Sequence, residues 1–87
     1  MYRARIHRWR ARPVEATGRG RTEEAALRNA ASRLLGRRIR ALYIERPVPG
    51  ASTRWVYEAH PAPGGGLSLG DRMVAHVDHL PLDKGGR

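Results

Sequence analysis

One stretch of this chain leaves little freedom in what it can form: TEEAALRNAASRLLG, residues 22–36. Thr22 is placed to cap a helix, its hydroxyl accepting a backbone N–H that the first turn leaves open. Glu23 and Glu24 follow, where the positive end of the helix dipole favours carboxylates. Ala25 stands where a reciprocal capping box would need Glu or Gln, so that box is incomplete. Leu27, Ala30, Ala31, Leu34 and Leu35 recur at helical spacing, and Gly36 suits the left-handed conformation that ends a helix. Glu24 and Arg28 can pair one turn apart. The apolar stripe is narrow and Ala-rich, which fits close packing on a sheet.

The segments around this helix alternate as strands do. In RIRALYIER, residues 38–46, Ile39, Ala41 and Tyr43 share one face while Leu42 and Ile44 lie opposite, a two-sided pattern that predicts a central strand. Pro47, Pro49 and Gly50 break it. In TRWVYEAH, residues 53–60, Trp55, Tyr57 and Ala59 oppose Arg54, Val56, Glu58 and His60. These two strands are expected to form an antiparallel hairpin around PVPGAS. PAPGGG, residues 61–66, reads as a flexible loop, and Gly70–Asp71 as a turn. RMVAHVDHL, residues 72–80, is a third strand with Met73, Ala75 and Val77 on one face, ended by Pro81.

The opening MYRARIHRWRAR is extended but inconsistent. Tyr2, Ala4 and Ile6 share a face, after which the apolar positions shift to Trp9 and Ala11. A β-bulge near residues 7–8 would restore one apolar face and align Arg3, Arg5, Arg8, Arg10 and Arg12 in a single outward row. PVEATGRGR either continues this strand past a bend or returns as a second one. The expected fold is therefore α+β: an antiparallel sheet of four or five strands with one helix, about residues 22–35, on one face, in the order β(β)αβββ. One domain is expected over residues 1–81, with 82–87 a flexible tail. Which sheet face the helix covers is left open by the pattern.

Charge is distributed unevenly. Residues 1–40 hold twelve Arg against three Glu, whereas residues 41–87 hold five basic and five acidic residues, so the whole formal charge of +9 lies in the first half. Such asymmetry points to an anionic partner. Sixteen of the seventeen basic residues are Arg, whose planar fork suits phosphate and carboxylate. A GC-rich codon bias would raise Arg over Lys as well, without gathering the excess in one half. The absence of cysteine excludes disulfides and Cys-ligated metal, and fits an expected cytoplasmic location. No apolar run approaches a membrane span, and no apolar segment follows the basic start as in a secretory signal.

Little here suggests catalysis. Ser52 or Ser68 could be grouped with a His and an Asp, but no spacing connects them. PAPGGGLSLG lacks the Lys and the following helix of a phosphate loop. His76, Asp78 and His79 do not converge on one strand face, so no metal or other cofactor is expected. The aromatics are Tyr2, Trp9, Tyr43, Trp55 and Tyr57, all with a polar handle and none of them Phe. Beside Arg, such rings can stack unpaired bases.

The residues expected to bind nucleic acid, DNA or RNA, are Arg3, Arg5, Arg8, Trp9, Arg10, Arg12, Arg19, Arg21, Arg38, Arg40 and Trp55. Over about a fifth of the chain, Thr22, Glu23, Glu24, Ala25, Asn29 and Ala30 resemble the helix start of HicB-like antitoxins. That resemblance implies an alternative: a protein-interaction module, antitoxin-like, an inhibitor or an accessory protein of a mobile element, docking on an acidic partner. The helix-then-three-strands order is also similar to that of double-stranded-RNA-binding domains, whose second helix PLDKGGR does not supply. An edge strand of a small sheet also offers a route to a homodimer.

Overall fold

The computed structural model describes residues 1–10 and 14–81. Tyr2–Arg8 (β1) and Ala16–Gly20 (β2) pair antiparallel, with Ala4 opposite Gly18 and Ile6 opposite Ala16. The chain after Pro13 thus returns as a second strand. Glu23–Leu35 forms α1. Leu42–Glu45 (β3), Thr53–Pro61 (β4), Leu67–Leu69 (β5) and Met73–His79 (β6) complete the sheet. Its order is β2-β1-β6-β4-β3, all antiparallel, with β5 also beside β4. This is the expected α+β fold, one helix on an antiparallel sheet, with six strands instead of four or five.

Helix α1 has the ends its sequence predicts. Thr22 Oγ1 accepts the Ala25 N–H at 3.1 Å, and Gly36 ends the helix at φ 71°. Arg28 pairs with Glu24 at 3.5 Å. Ala26, Leu27, Ala30 and Ala31 are buried against Ala4, Ile6, Ala75, Val77, Met73 and Val56. The helix can come this close because β2 presents glycine to it. A Cβ on Gly18 would lie 2.2 Å from the Ala30 nitrogen and 2.6 Å from the Ala26 oxygen. Two small faces, Gly on the strand and Ala on the helix, therefore meet almost backbone to backbone.

Three expectations are corrected. First, residues 38–46 do not form a central strand: β3 is only Leu42–Glu45 and lies at the sheet edge. The stretch before it crosses the sheet as irregular chain, with Ile39 buried and its N–H held by Ser32 Oγ at 3.0 Å. Apolar residues on both faces here reflect that crossing, not a strand between two neighbours.

Second, β1 carries no bulge. Its register with β6 is unbroken from Tyr2–His79 to Arg8–Met73, and the Trp9 N–H continues it to the Arg72 oxygen at 3.0 Å. The bulge lies in the neighbouring strand instead. Val56 pairs with Met73 and Ala59 with Leu69, so three residues, Gly70–Arg72, oppose two on β4. Third, a short strand that was not expected, β5, follows PAPGGG, which is the turn between β4 and β5, closed by Ala62 N–H to Gly66 O at 3.1 Å. Gly64, Gly65 and Gly66 all have positive φ there.

The Gly18 contact sets a first expectation. Gly18→Ala should destabilise the fold by about 1–3 kcal/mol, toward the upper end because the atoms met are helix backbone. Urea denaturation of the two proteins measures this, and unchanged stability would mean that the helix does not rest on Gly18.

Candidate functional site

Strand β4 decides which sheet face stays open. Its inner positions are Arg54, Val56 and Glu58, all buried, although two are charged. Arg54 reaches the start of α1, with Nε 2.6 Å and an amino nitrogen 3.2 Å from the Glu23 carboxylate. Glu58 reaches just past the other end, where its carboxylate accepts both terminal nitrogens of Arg37. Each buried charge thus has a bidentate partner, without which its desolvation would be prohibitive. The helix is gripped at both ends from one strand, and the outer positions of β4, Trp55 and Tyr57, are left on the opposite face.

That opposite face collects the rings. Cross-strand register places Trp55 beside Val74, Tyr43 beside Tyr57 and Trp9 beside Arg72. Arg72 lies within the ring cluster. Its guanidinium carbon is 4.2 Å from the Trp55 centroid, 5.0 Å from Trp9 and 5.8 Å from Tyr57. Its Nε donates to the Tyr57 hydroxyl at 2.9 Å, and that hydroxyl donates to Glu45 at 3.2 Å. Trp9 and Trp55 meet edge to face at 6.4 Å, and Tyr43 packs on Tyr57 at 5.9 Å. Cation–π attraction of this kind contributes roughly 0.5–2 kcal/mol per contact. It holds the rings around one cation, with Trp9 still 43% exposed.

Arginines border the rings on the same face. Arg3 and Arg5 on β1 flank Asp78 of β6, at 3.1 Å and 3.7 Å. Arg19 on β2 lies opposite Arg3 and is exposed. One carboxylate therefore faces two guanidinium groups, and the cluster stays positive.

The other expected arginines are elsewhere. Because β1 runs straight, Arg8 falls on the helix side of the sheet, and with Arg10 and Arg37 it lines a cleft of about 930 Å³ beside the end of α1 that Trp9 and Arg72 of the ring cluster also border. Arg21, Arg38 and Arg40 are exposed around the helix ends. Arg12 lies outside the described residues. Of the expected row, Arg3 and Arg5 thus lie on the open face and Arg8 and Arg10 at the cleft, and Trp9 is exposed on the face of Arg3 and Arg5. Arg72 and Tyr57 were not among the expected site residues. The parity of Arg72 with Val74, His76 and Asp78 was the signal available for it.

Of the histidines, His76 Nε2 lies 3.2 Å from Ser52 Oγ, and His79 packs on the Tyr2 ring at 4.7 Å. His60 Nε2 is 3.4 Å from Glu58. Among the described residues no three His, Asp or Glu side chains gather as a metal would require, and no helix is long and apolar enough to cross a membrane. Compared with protein-family models, curated proteins and solved structures, the chain finds no match.

The Arg37 hydrogen bonds hold the Glu58 carboxyl below its ordinary value of 4.5. Burial opposes the shift, while the charges of Arg37 and His60 add to it. The folded value lies below the unfolded one, so Glu58 contributes stability above pH 4.5 that is lost as pH falls through the folded value. Glu58→Gln should accordingly be less stable than the parent at neutral pH, with the two converging in acid. Urea midpoints measured from pH 7 downward test this, and a constant gap at every pH would remove Glu58 as the titrating group.

Proposed function

We propose that this protein binds single-stranded nucleic acid, DNA or RNA, on the open face of its sheet. The observation that carries the reading is the juxtaposition on one face of Trp9, Trp55, Tyr57 and caged Arg72 with Arg3, Arg5 and Arg19. Bases in a duplex hide their faces from exposed rings, whereas unpaired bases can stack on Trp9 or Trp55. Stacking of this type is tolerant of sequence and contributes about 1–3 kcal/mol per base. The strand's phosphates would run along β1 and β2, exchanging counterions for Arg3, Arg5 and Arg19. Asp78 opposes them, because a phosphate must compete with it for the same guanidinium groups.

Fluorescence-anisotropy titrations against single-stranded and duplex oligonucleotides, at low and physiological salt, test the reading. Single strands should bind more tightly than duplex. Trp55→Ala should cost about 1–3 kcal/mol, and Arg3→Gln should lower the salt slope by about 0.7. Asp78→Asn should tighten binding by removing the competitor. Absence of binding to single strands even near ~50 mM salt, where phosphate contacts are strong, would refute the proposal.

A further inference from the structure

The end strands β2 and β3 of this sheet are not equivalent; the three-residue β5, beside β4 alone, leaves only a short third edge. On β2, residues 16, 18 and 20 direct their backbone groups toward β1, so Thr17 and Arg19 direct theirs to the edge. Both edge carbonyls are already taken: Arg33 donates to Thr17 O at 2.9 Å and Asn29 to Arg19 O at 2.7 Å. Side chains of α1 thus close that edge. On β3, the Ala59 N–H bonds to Ala41 O at 3.1 Å, which makes Tyr43–Tyr57 and Glu45–Trp55 the hydrogen-bonded pairs with β4. Leu42 and Ile44 therefore direct N–H and C=O outward, and among the described residues nothing pairs with them.

Charge separates the same two edges. Strands β1 and β2 carry Arg3, Arg5, Arg8 and Arg19 with no acidic residue. Strands β3, β4 and β6 carry Arg54 alone against Glu45, Glu58 and Asp78. A second copy approaching β3 meets one strand carboxylate, Glu45, followed by exposed Arg46, with the cationic strands β1 and β2 of both copies as far apart as the sheet allows.

We infer that two copies of this chain pair antiparallel along β3, about a two-fold axis at Ile44. The outward groups fix the register. Ile44 exchanges both hydrogen bonds with the partner's Ile44, and Leu42 pairs with the partner's Arg46. On the open face Tyr43 then stands against the partner's Glu45, twice by symmetry. The chain leaves the strand after Glu45, so the pairing ends at Arg46. The axis is perpendicular to the sheet, so both open faces lie on one side and both helices on the other. The two ring clusters become one continuous platform with arginines at its far ends.

The pairing does not depend on nucleic acid, so it is tested without any. Sedimentation equilibrium over a range of concentrations should show a monomer–dimer equilibrium. Amide hydrogen exchange should show protection of Leu42 and Ile44 that rises with concentration. Tyr43→Glu sets like charges against each other across the two-fold and should weaken the dimer roughly tenfold or more. Tyr43→Glu combined with Glu45→Lys should restore it. Tyr43 is 40% exposed, so the fold itself should survive, which circular dichroism checks. A monomer at every concentration would overturn the inference. So would a dimer that leaves the Leu42 and Ile44 amides unprotected, or a β3 edge that accepts only a strand from a different protein.

Discussion

The architecture depends on how β4 distributes its side chains. One strand places Arg54 and Glu58 inward and Trp55 and Tyr57 outward. Hydrophobicity alone would turn that strand over, hiding the rings under the helix and exposing the charges. The ion pairs to Glu23 and Arg37 oppose this by giving each inward charge a bidentate partner at one end of α1. Such pairs add little net stability over well-packed apolar groups. Their effect is on specificity: an inverted β4 would leave four charged groups without partners. The helix is thereby oriented and the aromatic face kept in solvent.

That arrangement is possible because the rest of the inner face is small. Ala4, Ala26, Ala30, Ala31 and Ala75 are fully or almost fully buried, and Gly18 removes even a Cβ from the helix contact. A core of this kind takes only Tyr2, partly buried at its margin, and the other rings lie on the opposite face. Outside, Arg72 gives them a polar centre to pack around, turning exposed aromatic area into an ordered surface. The bulge at Gly70–Arg72 lies beside this cluster, where β4 bends from β6 to β5.

Local features of the chain were the most legible. The cap at Thr22, the stop at Gly36 and the stripe of Ala and Leu all follow from rules that act within one turn, and the helix matches them. The hairpin of β3 and β4 and the strand β6 were legible for the same reason. Nonlocal features were not. The inverted alternation at His7–Trp9 read as a bulge because an exposed Trp looked costly. The strand runs straight because Trp9 has partners, Trp55 and Arg72, that lie far away in sequence. The expected alignment of Arg3, Arg5, Arg8 and Arg10 failed with that bulge, which left Arg8 and Arg10 beside the helix end and Arg3 and Arg5 beside the rings. Likewise the two-sided apolar pattern of residues 38–46 could not separate a central strand from a chain crossing the sheet.

Both tryptophans of the chain belong to the ring cluster; Trp9 also borders the cleft beside the end of α1, whereas Trp55 does not, so the Trp55 contribution separates the two surfaces. The most direct measurement is therefore a titration of tryptophan emission with a single-stranded oligonucleotide, followed alongside binding measured on the oligonucleotide itself. Bases stacking on Trp9 and Trp55 should quench the emission in step with binding, and Trp55→Ala should remove much of the change. Binding that leaves the emission unaltered would place the nucleic acid on another surface and contradict the account.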